Sequence, residues 1–261
     1  MYCNRADFFE QHLEYSRQTF TTDGQKAIMT EINISTPNHS LCAYLRSPLG
    51  EGPWPGVVVL HDVLGQTADS RRQVDWLAAS GYLAVAPDLY SWGNKLPCIR
   101  AITRDLLTHK GATFDDIDAV KSFLTDRDDC MGKVGVIGFC MGGGFALLLV
   151  PPERGFSASS VNYGTVPEDA ETLLRGACPV IGSFGTHDYT LKGAASRLEN
   201  ALQINGVDHD VKEYPDAGHA FLNIHGGALG WAMTRIGMRF HEPSAADAQA
   251  RILAFFGRYL H

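Results

Sequence analysis

Gly56-Val-Val-Val-Leu-His61 has no polar side chain before its histidine. An uninterrupted apolar run of that length suits a central parallel strand buried on both faces. Residues 82–87, the run opening at Lys133, and residues 158–163 and 179–184 read the same way, and 210–214 adds a further strand. Upstream, residues 30–36 and 41–45 alternate polar and apolar on either side of Pro37-Asn-His-Ser40, the pattern of an antiparallel hairpin. Helical spacing appears at 68–80, stopped by Gly81, and at 114–125. It recurs at 145–150, stopped by Pro151-Pro152, at 191–204, and in a closing amphipathic stretch at 243–259. Residues 50–55 read as a loop. Residues 88–112 read as a long irregular connection with a helical piece near 99–108. Residues 219–241 read as an irregular Gly/Met-rich segment, and 1–26 as a polar arm anchored by Phe8, Phe9 and Leu13. Repeated β-α alternation predicts an α/β fold: a mostly parallel sheet with helices on both faces. One domain over 1–261 accommodates it.

Composition narrows the class. Apolar residues make up 45% and charged residues 20%, as in a globular protein. The net charge of −7 disfavours nucleic acid as a partner. No apolar run reaches the length of a membrane span, and the first residues lack a signal-peptide core, so the expectation is a cytoplasmic protein without a membrane partner. The six cysteines are scattered, which fits free thiols in a reducing compartment. Ten histidines invite a metal reading, but no H-E-x-x-H or Cys/His ligand spacing occurs, so no metal or other cofactor is expected.

The chemistry centres on Gly138-Phe-Cys-Met-Gly142, which lies between the strand opening at Lys133 and the helix before Pro151. It has the form G-x-S-x-G, the nucleophile elbow of α/β-hydrolases, with Cys140 in the serine position. The elbow turns a strand into a helix within a few residues, and side chains at positions 138 and 142 would strike the neighbouring segments. Cys140 then stands just ahead of a helix, whose unpaired N–H groups favour a thiolate.

A nucleophile of this kind needs a base and an orienting acid, which follow it in the order acid, histidine. The strand ending at Phe184 runs into Gly185-Thr-His-Asp188, and the next strand into Tyr214-Pro-Asp-Ala-Gly-His219. Order and strand-end position favour Cys140, Asp188 and His219 as the catalytic trio. Asp216 and His187 are rivals, and Asp188 could instead cap the helix starting near residue 191. The oxyanion hole takes one N–H from the residue after the nucleophile, Met141. The other comes from the loop His61-Asp-Val-Leu-Gly65, where Val63 is the expected donor.

Taken together, His61-Asp-Val-Leu-Gly65, Pro87-Asp-Leu-Tyr90, Gly138-Phe-Cys-Met-Gly-Gly143, Gly185-x-x-Asp188 and Ala217-Gly-His-Ala-Phe221 resemble the dienelactone hydrolase (carboxymethylenebutenolidase) family over roughly residues 32–259. The resemblance implies a single α/β-hydrolase domain without a large lid. It also implies hydrolysis of a carboxylated enol-lactone through an acyl-cysteine, and no cofactor. In that family a glutamate in the oxyanion loop contacts the resting thiol; the matching residue here is Asp62. Two arginines hold the substrate carboxylate. For the first, Arg100 and Arg104 are candidates beyond Tyr90, itself counted with the substrate-binding residues. The position of the second, four residues after the histidine, holds Asn223. A neutral ester is therefore expected to react better than dienelactone.

The expected partner is a small-molecule ester or lactone, and the expected state a monomer or small homo-oligomer. Acyl transfer or thioester cleavage by the same trio, and a non-catalytic redox-sensing thiol, are the alternative functions.

Overall fold

In a computed structural model of the chain, residues 16–22, 25–235 and 237–261 are described. Among the described residues nine strands form one sheet: β1 (Ser16–Thr22), β2 (Gln25–Ser35), β3 (Ser40–Arg46), β4 (Trp54–Leu60), β5 (Leu83–Pro87), β6 (Cys130–Phe139), β7 (Ala158–Asn162), β8 (Val180–Gly185) and β9 (His209–Tyr214). Their order is β1-β2-β3-β5-β4-β6-β7-β8-β9. The first three strands and the β3–β5 junction are antiparallel, and every pairing from β5 to β9 is parallel. The expected mostly parallel sheet is therefore present, and an antiparallel edge extends it.

The apolar runs divide between two cores as the pleat requires. Val58 and Leu60 of β4, Leu83 and Val85 of β5, and Val134 and Val136 of β6 enter one core. Val57, Val59, Ala84, Ala86, Ile137 and Phe139 enter the other. Helices α2 (Lys95–Thr108), α3 (Ala112–Thr125), α4 (Met141–Leu148), the short α5 (Ala170–Leu173) and α6 (Ala194–Ile204) contribute to the first core. Helices α1 (Ala68–Ala79) and α8 (Glu242–Leu260) cover the second. The remaining helix, α7 (Gly227–Arg235), precedes α8.

Local chemistry sets several of these boundaries. Thr67 caps α1 by accepting the Asp69 N–H, and Ser70 closes the capping box. Asp105 accepts the Thr113 N–H and hydroxyl at the start of α3, although it belongs to α2. Pro243 occupies the first turn of α8, where a missing N–H costs nothing.

Three expectations require correction. The stretch read as an arm over 1–26 holds β1 and the start of β2, whose backbones pair antiparallel; Phe8, Phe9 and Leu13 lie outside the described residues. Residues 219–241 include the two-turn helix α7, because two glycines at 226–227 hid its start from a periodicity reading. Helix α4 starts at Met141 rather than at 145: Gly142, Gly143 and Gly144 are poor helix formers, and packing overrides that preference. Among the described residues, no helix is long and apolar enough to cross a membrane.

Candidate active site

Strand β6 ends at Phe139 and α4 begins at Met141, which leaves Cys140 alone at the turn with φ 56° and ψ −113°. A non-glycine residue held there is strained and persists only where its surroundings over-determine it. The surroundings here are tight. A Cβ on Gly138 would lie 1.9 Å from the Gly142 carbonyl oxygen, and one on Gly142 would lie 2.3 Å from the Leu60 carbonyl oxygen at the end of β4. Strand β7 holds the turn from its other side. Cys140 N–H donates to Asn162 O at 3.1 Å, and Asn162 Nδ2 donates to Gly138 O at 3.1 Å. Met141 N–H sits at the first helical position, where the helix offers it no partner.

The loop after β8 delivers Asp188 and the loop after β9 delivers His219; their Oδ2 and Nδ1 atoms lie 2.5 Å apart. The other Asp188 oxygen accepts Thr190 N–H at 3.1 Å and Thr190 Oγ1–H at 2.6 Å. Asp188 thus bonds the histidine with one oxygen and caps the short turn 189–191 with the other; it does not cap the following helix, which starts at Ala194 behind Gly193. The rivals Asp216 and His187 are solvent-exposed.

Burial opposes ionisation of Asp188, but the hydrogen bonds from His219 and Thr190 outweigh it and hold the carboxyl below its ordinary value. Burial likewise opposes protonation of His219. The Asp188 carboxylate and the nearby Cys140 sulfur overcome it and push the imidazole up to about 10. His219 Nε2 is buried without a well-formed hydrogen bond among the described residues, a common condition for a catalytic nitrogen before substrate arrives. The Tyr163 ring lies against it, with centroids 5.2 Å apart.

The loop after β4 starts against α4, where a Cβ on Gly142 would lie 2.7 Å from the His61 carbonyl oxygen. Val63 is 42% exposed and its carbonyl accepts the Tyr90 hydroxyl at 3.1 Å. His61 is a structural pin: Nδ1 donates to Asp62 O at 2.6 Å and Nε2 accepts Leu89 N–H at 3.1 Å. Burial lowers its basicity, so the neutral ring ties this loop to Pro87-Asp-Leu-Tyr90.

Asp62 does not bond the thiol among the described residues. Its Oδ1 accepts Leu64 N–H at 2.8 Å, and its Oδ2 lies 3.4 Å from His225 Nε2. Asn223 is buried, with its amide occupied at both ends by Asp69 and the Tyr163 hydroxyl. Arg100 and Arg104 are exposed on α2, and Arg104 pairs with Asp105 at 2.9 Å. The structure thus brings Cys140, Met141, Asp188, His219, Val63 and Tyr90 together and gives Asp62 and Asn223 other partners. Sequence reading missed Asp69, Asn162, Tyr163 and His225. Only Asp69 carried a local signal, as the acidic residue in the first turn of a capped helix.

Among the described residues, no group of three His, Cys, Asp or Glu side chains is arranged to hold a metal ion. The arrangement can support attack by sulfur on a carbonyl, with a proton carrier on one side and amide donors on the other.

Strand order, elbow and the acid–histidine pair at the carboxyl edge are those of the α/β-hydrolase class. The model of the Dienelactone hydrolase family matches residues 41–260, and the chain belongs to that family, hydrolases acting on ester and lactone bonds. A "Putative carboxymethylenebutenolidase" of Methylorubrum extorquens is 27% identical over 223 residues, covering 79% of this chain and 76% of that protein. The crystal structure of a "Putative Dienelactone Hydrolase" from Klebsiella pneumoniae superposes with a TM-score of 0.71 at 27% identity, covering 89% of this chain and 99% of that one. A dienelactone hydrolase-like promiscuous phosphotriesterase from metagenomic libraries shares the fold with a TM-score of 0.75 at 18% identity, covering 90% and 99%.

Proposed function

We propose that the chain opens a small-molecule ester or lactone through an acyl-cysteine on Cys140. One observation carries the reading: the strained Cys140 stands at a helix start beside a histidine already bonded to a buried carboxylate. Protonated His219 and the helix end both favour sulfur as thiolate. The thiolate attacks the carbonyl carbon, and the π electron pair moves to oxygen, which the Val63 and Met141 amides stabilise. Collapse breaks the carbon–oxygen bond, and the leaving alkoxide takes the proton from His219. A water then gives a proton to His219 and its oxygen to the acyl carbon. The second collapse releases the carboxylic acid and returns the thiolate. Asp188 keeps the imidazole in the tautomer that both steps use.

The test is turnover of a p-nitrophenyl ester followed by mass spectrometry of the quenched enzyme. An acyl adduct on Cys140, and loss of turnover in Cys140→Ala, are expected. Turnover that survives Cys140→Ala rules the mechanism out.

A further inference from the structure

His225 lies six residues beyond His219, and its side chain is 7% exposed. Its Nε2 is buried and without a hydrogen bond among the described residues. It stands 3.4 Å from Asp62 Oδ2, within ion-pair range but off the line of a hydrogen bond. Asp62 is itself only 7% exposed, and it immediately precedes Val63, the amide donor of the proposed oxyanion hole. A carboxylate in that position poses an electrostatic problem. The acyl carbonyl gains a negative charge beside it, and an unpaired buried anion there opposes that charge.

We infer that His225 is an electrostatic positioning residue that cancels the Asp62 charge beside the oxyanion hole. With one proton between them the two side chains are neutral overall, whether that proton lies on nitrogen or on oxygen, and burial at 3.4 Å separation favours such a neutral pair over a lone buried carboxylate. The other charged or titratable groups around this loop do not supply it. Asp69 and Asp88 add negative charge, and Asp69 is taken up by Asn223, Ile224 N–H and Arg72. His61 is neutral and spent on two backbone groups. Tyr90 and Tyr163 are raised by burial, and both feel Asp62 and Cys140, which places the carboxylate and the sulfur around the same two rings. Lys95 bonds the loop at Leu64 O from an exposed position, where water screens its charge. His225 is therefore the buried group that can neutralise Asp62, and it also ties the oxyanion loop to the segment that carries His219.

This role rests on the acyl-cysteine reading, and the experiment separates the two. kcat and KM for p-nitrophenyl acetate are measured in wild type, His225→Ala, His225→Gln, Asp62→Asn, the double variant Asp62→Asn/His225→Ala, and Cys140→Ala. The expected result is a fall in kcat of about tenfold or more in His225→Ala, with KM changing much less. His225→Gln keeps a donor but brings no proton to share, so it stays low. Removing the carboxylate as well, in the double variant, restores most of the lost kcat, because a neutral amide at position 62 needs no counter-charge and still offers an oxygen to Leu64 N–H. A double variant no faster than His225→Ala assigns His225 a merely structural role and overturns the inference. Wild-type kcat in His225→Ala or in His225→Gln also overturns it. Turnover surviving Cys140→Ala brings down the acyl-cysteine reading and this role with it.

Discussion

At Cys140 the backbone angle, the two flanking glycines and the helix start all serve one purpose: to hold a sulfur where the chain has no room to relax. A methyl group on Gly138 meets a carbonyl of α4, and one on Gly142 meets the end of β4. Gly138→Ala is expected to lose about 3 kcal/mol or more of stability by urea titration, because neither neighbour is a flexible side-chain end. The Asp188–His219 pair has a different signature. His219 is held above its unfolded value of about 6.5, so its contribution is complete below that pH and fades as pH rises towards about 10. Asp188 is held below its ordinary value, so its contribution is complete above the carboxylate range and fades as pH falls through the folded value. Together they stabilise most between about pH 4 and pH 6.5. The Tm difference between wild type and Asp188→Asn should be widest in that window and narrow towards pH 10. In the same variant kcat is expected to fall about a thousandfold or more, through loss of the productive tautomer.

Among the elements, α8 shows most directly how packing fastens the site region. Ala245, Ala248, Ile252, Phe255, Phe256 and Leu260 recur at helical spacing and enter the core beneath β6, β7 and β8. On its outer side Arg251 bridges to Asp210 and the Tyr214 hydroxyl, while Asp247 takes Lys212 and Tyr214. These contacts clamp β9, the strand that leads to His219. Phe256→Ala is expected to cost about 3–5 kcal/mol in denaturant melts, since the ring is fully buried. Arg251→Ala should cost about 1 kcal/mol or less, because Asp210 is half exposed to water. A second clasp joins the β2–β3 turn to α3: Asp116 accepts from Thr36 and lies 2.7 Å from His39, which stacks on Trp92.

For the molecule as a whole, the charge around the site bears on substrate choice. Asp62 lies on the loop after β4, Asp88 lies 4.0 Å from His61 of that loop and Asp69 acts on Asp62 from α1, while the described arginines expected to hold an anion stand exposed on α2. Asn223, in the position where a second arginine was sought, has both amide ends occupied. A neutral ester is therefore expected to exceed dienelactone in kcat/KM by about tenfold, the difference between charged and neutral hydrogen bonding. Equal or reversed values would show that Arg100 or another cation reaches the substrate carboxylate. The sequence by itself determined the sheet, the glycine-flanked turn at Cys140 and the chain order Cys140, Asp188, His219 of the proposed trio. Apolar runs, glycine spacing and strand-end position are local signals, and each survives without knowledge of the partner. It also narrowed the acid to Asp188 over Asp216 by position alone, which the 2.5 Å bond to His219 matches. Only the tertiary structure decided the neighbours of Asp62, the engagement of Asn223 and the place of His225. Those contacts join segments about 60 to 160 residues apart, and no local pattern encodes which side chains meet when two loops converge. Strand β1 and helix α7 were illegible for a related reason. One is a polar edge strand defined by its pairing, the other a short helix behind two glycines, and in both tertiary context outweighs intrinsic preference.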